Sequence, residues 1–467
     1  MKTNIFLIRL FSLLFMTLCF HSVAQGKSTR PNFIFYLADD QDKLDYGAYG
    51  NPKVHTPAVD QLAKEGMKFT NFYTSQSICA PSRSQLFTGM YPVKNGCMAN
   101  HLPVKKDIKT VIDQLVAEGY EVVLAGKSHV KPNSVFKWTK YFGSIDHRYL
   151  PLDAINSYLA KVKKPFCLFV TSDYPHGPYP KDGDYTKNDI YSLPYSGSNV
   201  PNYKPGHYQN IKSDNTQLEA VLEMVDSHNL RDNSIFIYAS DHGISGKWGV
   251  SEQGLRIPFV VRWPGVVAPG TTSQTMLSLV DVLPTFLDIL ASKIPSSIDG
   301  KSFYKTLKGN ESPVNDYIFS LATRQNIQAC KVFPTRAVRG KRYKFIRNYN
   351  ALEVYTSNLG KNSVINSFIK LGAESFPKIP YEELYDLEND PYQKNNLIKN
   401  SKFDIVKSQL SQVLHTWMVS QDDFLILNKM PLIKPTLHPL DRNSKWNKVS
   451  KENLNGLKSN DYMKSHY

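Results

Sequence analysis

Four short apolar runs in this chain each end in side chains able to do chemistry. Asn32 to Leu37 leads into Asp39-Asp40, and Glu121 to Ala125 leads into Gly126-Lys127-Ser128-His129. Phe166 to Thr171 leads into Asp173-Tyr-Pro-His176, and Ser234 to Ser240 into Asp241-His242-Gly243. Asp39, Asp40 and Asp241 would put three carboxylates at one edge, and such charges stay ionised together only beside a cation. Oxygen donors favour a hard divalent ion, calcium or magnesium over zinc. His242 stands where it can orient that site or join it. Arg83, Lys127 and Lys247 add fixed positive charge, and His129 and His176 can move protons near neutral pH. Cations beside an anionic metal site suit a substrate that is itself a tetrahedral oxyanion, which Arg83 can hold through two parallel hydrogen bonds. Sulfate and phosphate esters both answer to that description. A lone histidine after a strand, or an Asp-Asp pair at a turn, is ordinarily structural. Four such ends together describe an active site.

The stretch Ser77-Ile-Cys-Ala-Pro-Ser-Arg-Ser-Gln-Leu-Phe-Thr-Gly89 adds a nucleophile. Pro81 and Ser82 are good first-turn residues, and Arg83 to Thr88 can continue as helix until Gly89. Cys79 then lies just before a helix N-terminus. There the dipole and the free N–H groups favour both a nucleophile's negative charge and an anionic substrate. Spacing leaves the chemical form of Cys79 open.

The elements that must position these groups alternate. Thr56-Pro57 opens a helix that Gly66 stops, a second helix spans Thr110 to Glu118, and Gln217 to His228 has helical period. Short apolar runs between helices predict an α/β fold whose mostly parallel central sheet is covered on both faces, with ligands at the carboxyl ends of its strands. After about residue 315 the character changes. Strand-like pieces at Ala337–Val338 and Tyr343–Ile346 precede a helical stretch from Phe403 to Met418, which predicts a smaller C-terminal α+β unit.

The bulk numbers narrow the setting. Of 467 residues, 41% are hydrophobic and 21% charged, the balance of a globular protein. Lys2 and Arg9 precede an apolar run from Leu10 to Phe20, and Ser22-Val23-Ala24 offers small residues for cleavage. That is the layout of a secretory leader, with a run too short to span a bilayer. Export to the periplasm or the medium is expected, with no integral membrane segment. Beyond the leader, Cys79, Cys97, Cys167 and Cys330 are too few to staple the chain, so a large core must carry the stability. The formal charge of +15 is spread out, without a basic helix or a nucleic-acid motif. A sulfated or uronic-acid glycan suits it better as a partner than nucleic acid does.

These residues resemble the sulfatase family of the alkaline-phosphatase-like superfamily. Its signature C-x-P-S-R-x-x-L-x-T-G is met at Cys79, Pro81, Ser82, Arg83, Leu86, Thr88 and Gly89. The segments around Asp39-Asp40, Lys127-x-His129, His176, Asp241-His242 and Lys247 follow in the family's order. So do Glu252-x-Gly254-x-Arg256 and, near the C-terminus, Leu384-Tyr385-Asp386. Pro334-x-Arg336-x-Val338-Arg339 is most similar to N-sulfoglucosamine sulfohydrolases. His242 replaces an asparagine common in relatives.

The resemblance implies that a formylglycine-generating or anaerobic sulfatase-maturing enzyme converts Cys79 to formylglycine. It also implies one calcium ion held by Asp39, Asp40, modified Cys79, Asp241 and His242. Arg83 and Lys127 would hold the modified residue and the sulfate, His129 would act as base, and His176 and Lys247 would stand on the leaving-group side. The expected substrate is a sulfated oligo- or polysaccharide, either an algal one such as ulvan or a glycosaminoglycan. Phosphatases, phosphodiesterases and phosphonate hydrolases of the same superfamily are the alternative. An inactive glycan-binding relative would not need all six of Cys79, Arg83, Lys127, His129, His176 and Lys247. The expected organisation is a leader over 1–24, a catalytic domain over 29–315, a C-terminal subdomain over 316–430 and a basic tail over 431–467.

Overall fold

The computed structural model describes residues 30–192, 200–326, 331–348, 380–423 and 425–426. The expected leader, Cys330 and the basic tail lie outside these residues. Nine strands form the large sheet: β1 (Asn32–Ala38), β2 (Met67–Tyr73), β3 (Glu121–Gly126), β4 (Lys140–Phe142), β5 (Phe166–Thr171), β6 (Ser234–Ser240), β7 (Arg256–Arg262), β8 (Thr271–Ser273) and β9 (Leu277–Ser278). Their order is β4-β3-β5-β1-β6-β7-β2-β8, with β9 also on β2. β7 runs against its neighbours β6 and β2, and all other pairings are parallel. The four runs that carry the candidate groups are therefore adjacent strands, β3-β5-β1-β6. Pro258 does not break β7. The register to β2 slips between Phe69 and Phe72, so the missing N–H falls at an irregularity in the ladder.

Helices α1 (Pro57–Glu65), α2 (Cys79–Thr88), α3 (Val111–Ala117), α4 (Leu152–Lys161), α5 (Lys204–Ser227) and α6 (Val282–Ile289) cover the sheet. All seven residues of β1 are buried, and successive ones serve opposite layers. Phe33, Phe35 and Leu37 pack with Leu86 and Phe87 of α2, Leu115 of α3, and Leu283 and Phe286 of α6. Ile34, Tyr36 and Ala38 pack with Leu62 of α1, Ile155 and Leu159 of α4, and Leu218 and Val221 of α5. Burying side chains of the larger sizes stabilises by about 1.5–3 kcal/mol each, which makes the sheet a firm platform for the groups at its edge.

The helical period expected from Gln217 to His228 is only the second half of α5. The first half buries Lys204, His207, Asn210 and Asp214, so no apolar period announces it. Polar partners hold it instead. Lys204 Nζ meets Asp45 Oδ2 at 2.8 Å, His207 Nε2 lies 2.9 Å from the Asp40 carbonyl, and the Tyr36 hydroxyl donates to Asp214 at 2.8 Å.

The second sheet is antiparallel, ordered β10 (Ile318–Asn326), β11 (Lys331–Arg339), β12 (Tyr343–Asn348) and β13 (Glu382–Asp386). Leu321, Val338, Phe345 and Leu384 pack against Leu410, Leu414, Trp417 and Met418 of α7 (Asp404–Ser420). Ile318, Ala337, Ile346 and Tyr385 share another cluster with Tyr73, Val250 and Leu255 of the large unit. Buried Glu252 ties the two together, accepting from Lys344 Nζ at 2.9 Å with Arg339 Nε 3.5 Å away. Among the described residues no helix is long and apolar enough to cross a membrane.

Candidate active site

Backbone bonds just beyond the strand ends fix the candidate groups. Asp241 N–H donates to the Ala38 carbonyl at 3.0 Å, Asp39 N–H to Tyr174 at 3.0 Å, and Lys127 N–H to Thr171 at 2.8 Å. Gly126 has φ 103°, and a Cβ there would lie 2.1 Å from the Thr171 carbonyl, so only glycine fits the turn that launches Lys127. Asp40 and His129 also adopt left-handed backbone, at φ 62° and 55°. Non-glycine residues in that region concentrate at functional sites.

Cys79 is the first residue of α2, after an extended Ile78 cap, one position further into the helix than expected. Gly89 ends the helix at φ 65°. Every residue of α2 is buried, which is why it shows no amphipathic period. Its polar residues anchor it: Ser82 Oγ donates to the Asp241 carbonyl at 2.6 Å, and Gln85 Oε1 accepts from Ser75 Oγ at 2.6 Å. One turn separates Cys79 from Arg83, so both face the strand ends.

There the charges interlock. Arg83, fully buried, bridges two carboxylates: its Nη2 is 2.9 Å from Asp39 Oδ2 and its Nε 3.1 Å from Asp241 Oδ2. Its Nη1 donates to the Lys127 carbonyl at 3.1 Å. Lys127 Nζ sits 2.6 Å from Asp39 Oδ2 and 2.7 Å from Asp173 Oδ1. Lys247 Nζ binds both oxygens of Asp40, at 2.8 and 2.7 Å. Burial would raise the Asp39 and Asp40 carboxyls. Lys127 and Arg83 outweigh it at Asp39, and Lys247 and His242 at Asp40, so both fall below the usual carboxylate range. Asp241 goes the other way, raised by burial and by Asp39.

Four groups could hold a metal ion. Ligand atoms of Asp39, Asp40, Cys79 and His242 all lie within 4.8 Å of one another. His242 Nε2 is 3.3 Å from Asp40 Oδ1 and 3.4 Å from Cys79 Sγ, which is 3.6 Å from Asp39 Oδ1. Asp241 does not belong to this cluster. Its Oδ1 accepts from the backbone N–H of His242 at 2.8 Å and of Asp40 at 3.2 Å, while its Oδ2 faces Arg83. Three protein cations, Arg83, Lys127 and Lys247, already stand among the three carboxylates, so like-charge repulsion alone does not require a metal there. Two carboxylates, an imidazole and residue 79 converging on one point make the donor set of a metal site.

Cys79 is not primed as a thiolate. Burial and Asp39 push its pKa well up, against Lys247 and in spite of the helix end. A protonated buried thiol is a poor nucleophile. His176 lies at the rim, its Nε2 3.6 Å from Asp40 Oδ2 and its Nδ1 2.8 Å from the Gly177 carbonyl. Burial, Lys127 and Arg83 drive the His129 ring down to about 2, so it is neutral across the physiological range.

Residues 31–292 match the family described as Sulfatase, and residues 240–359 the one described as N-sulphoglucosamine sulphohydrolase, C-terminal. Over 452 residues the chain is 48% identical to an ulvan-active sulfatase of Formosa agariphila, covering 93% of this chain and 90% of that one. The chain belongs to the sulfatase family. Bovine (Bos taurus) arylsulfatase A is 25% identical over 79% of this sulfatase and 83% of its own length. The same fold recurs in a solved structure bound to its substrate D-glucosamine-2-N,6-O-disulfate, at 20% identity and TM-score 0.65, covering 85% of this chain and 99% of that one. It recurs also in a phosphonate monoester hydrolase of Agrobacterium radiobacter, at 18% identity and TM-score 0.65, covering 88% and 100%.

All ten candidate residues gather at the strand ends of this sulfatase, and two neighbours to which the sequence reading assigned no role join them. Asp173, the partner of Lys127, follows β5 as Asp39 follows β1 and Asp241 follows β6, so its strand-end position was a usable signal. His101, 3.0 Å from His129, comes from a loop with no motif.

Proposed function

We propose that this sulfatase is exported and removes sulfate from a sulfated polysaccharide, with residue 79 as formylglycine and a calcium ion beside it. The observation that carries the reading is the convergence of Arg83, Lys127 and Lys247 with Asp39, Asp40 and His242 around buried Cys79. The donor set fits a divalent cation, and the raised thiol fits a residue that works only once modified. Asp39, Asp40, His242 and residue 79 would hold the ion, with Asp241 fixing the backbone beneath them. Bound there, the ion would stabilise negative charge on oxygen. Formylglycine in its hydrated form supplies two hydroxyls on one carbon, one to attack sulfur and one whose proton loss lets sulfate leave, which a thiol does not.

The remaining steps belong to the chain's own side chains. Lys127 and Lys247, each already anchored on a carboxylate, orient their ammonium groups toward the oxyanion, and electrostatic stabilisation of this kind is commonly the largest catalytic term. His176 donates Nδ1–H to the Gly177 carbonyl, and when it also carries a proton on Nε2 it hands that proton to the departing sugar oxygen and is left as the neutral Nδ1–H ring. His129 exchanges a proton with the hydrated residue 79. The high identity to an ulvan-active sulfatase favours an ulvan-type substrate, and the formal charge of +15 suits any polyanionic chain.

The test is mass spectrometry of the peptide containing Cys79, from protein made together with a formylglycine-generating or anaerobic sulfatase-maturing enzyme. It is paired with sulfate release from ulvan and from glycosaminoglycans. An aldehyde at residue 79 with sulfate release from ulvan is expected. Full activity with an unmodified thiol would overturn the mechanism, and release from heparan-type chains alone would overturn the substrate.

A further inference from the structure

Behind His129 runs a hydrogen-bonded chain that no sequence motif announces. His129 Nε2 lies 3.0 Å from His101 Nδ1, with ring centroids 4.8 Å apart. His101 is exposed and held at φ 68°. Its other nitrogen, Nε2, is 3.3 Å from Asn100 Nδ2. Asn100 Oδ1 in turn accepts from the backbone N–H of Ala80 at 3.2 Å, the residue after Cys79 in α2. The loop is pinned nearby, Val104 N–H donating to the Lys131 carbonyl at 2.9 Å.

The direction of donation follows from the two fixed ends. A backbone N–H can only donate, so Asn100 turns its oxygen to Ala80 and its amide hydrogens to His101. Neutral His101 then accepts at Nε2, carries its proton on Nδ1 and donates to His129 Nε2. Neutral His129 is left with its proton on Nδ1. That atom is buried and has no hydrogen-bond partner among the described residues, so it is a donor in want of an oxygen.

We propose that His101 is a positioning and proton-relay residue for His129, fixing its resting proton on Nδ1 and linking that buried atom to water. The inference rests on the sulfatase reading above, in which His129 exchanges a proton with residue 79. When Nδ1 gives its proton to an oxygen in the site, His129 Nε2 takes the proton of His101 Nδ1, and exposed His101 Nε2 exchanges its 3.3 Å contact with Asn100 for a water and takes a proton from it. When Nδ1 takes a proton back, His129 Nε2 returns one to His101 Nδ1, and His101 Nε2 releases one to water. One proton passes each way and the buried ring never carries two. That matters because burial, with Lys127 and Arg83 facing the ring, opposes an imidazolium there, and Asp39 offsets them only in part. A base that cannot hold a second proton must pass one on as it takes one.

The decisive readout is the tautomer. In 15N-histidine-labelled protein, with His129 assigned through a His129→Gln variant, His129 should be protonated at Nδ1 and bare at Nε2. In Asn100→Asp the carboxylate accepts from His101 Nε2, the chain reverses, and His129 should shift its proton to Nε2. Matured His101→Ala should lose roughly 100-fold in kcat with KM changed little, and added imidazole should restore part of it. An unchanged His129 tautomer in Asn100→Asp, or a His101→Ala loss that imidazole does not touch, overturns the relay while leaving the sulfatase reading standing. Absence of sulfate release by matured wild-type protein would overturn the sulfatase reading instead, and the tautomer measurement would still decide the place of His101.

Discussion

Replacing Arg83 by methionine isolates the buried charge network from the chemistry, because its effect is read on unmodified protein. Methionine keeps much of the length and removes every N–H donor. Asp39 would keep Lys127 at 2.6 Å. Asp241 would keep no Arg or Lys within ion-pair distance among the described residues, only the backbone N–H groups of His242 and Asp40 and the His242 ring 3.8 Å from its Oδ1. Breaking a buried ion pair from one side costs about 3–5 kcal/mol. Asp241 already lies above its usual range through burial and Asp39, so it can escape part of the cost by taking a proton. That argues for the lower end, about 3 kcal/mol. For a chain of 467 residues, an unfolding entropy of about 2.1 cal/mol/K per residue gives about 1 kcal/mol per kelvin. Differential scanning calorimetry should therefore show Tm about 3 °C lower. Adding Asp241→Asn should recover part of the loss, with a coupling of about 1–3 kcal/mol. An Arg83→Met variant melting within about 1 °C of wild type, or a double variant equal to the sum of the singles, would refute the buried bridge.

Two further outcomes concern the metal cluster and the Glu252 tether. Chelation of divalent ions should abolish sulfate release and lower Tm, and calcium should restore both. Metal at a hundredfold excess over its Kd stabilises by about 2.7 kcal/mol, so Tm and activity indifferent to chelation would argue that no ion sits beside residue 79. Glu252, buried against Lys344, Arg339 and Arg256, is held down at about 2. Its stabilisation is present above the ordinary glutamate range and is lost as pH falls through about 4 toward 2. Burial also pulls Lys344 down, but at 2.9 Å the charged pair is the form that accounts for Glu252. Glu252→Gln should flatten the dependence of Tm on pH in that window, and an unchanged slope would count against the pair.

The strand-end residues were legible because a parallel sheet turns sequence position into spatial position. Asp39, Lys127 and Asp241 each directly follow a buried run, and β1, β3 and β6 deliver them to one edge. Adjacency was not legible, since nothing local states that β5 and β6 flank β1. The first half of α5 was hidden because Lys204, His207 and Asp214 bury polar groups against partners far away in sequence, where periodicity has no purchase. His101 was hidden for a related reason: it reaches the site through a loop, and loops carry no period. In the C-terminal region the pieces at Ala337–Val338 and Tyr343–Ile346 fall within β11 and β12. Their antiparallel pairing and the Glu252 tether are long-range facts that local signals do not contain.

The count of charges around residue 79 bears on why a sulfate ester would be preferred over a phosphate. Asp39, Asp40, Asp173 and Asp241 face Arg83, Lys127 and Lys247, which leaves one negative charge when all are ionised. A divalent ion turns this into one positive charge, which a sulfate monoester, a single anion at any ordinary pH, would cancel. A phosphate monoester carries about −1.5 to −2 at pH 7 because its second pKa is about 6, so it would leave the buried site negative in a medium where charge is costly. Discrimination between matched sulfate and phosphate monoesters should then narrow as pH falls through about 6 and the phosphate becomes a single anion. The measurement is the ratio of kcat/KM for the two esters from pH 5 to 8, using one aryl leaving group. A ratio that stays flat across that range would show that shape or metal–oxygen chemistry, and not net charge, makes the selection.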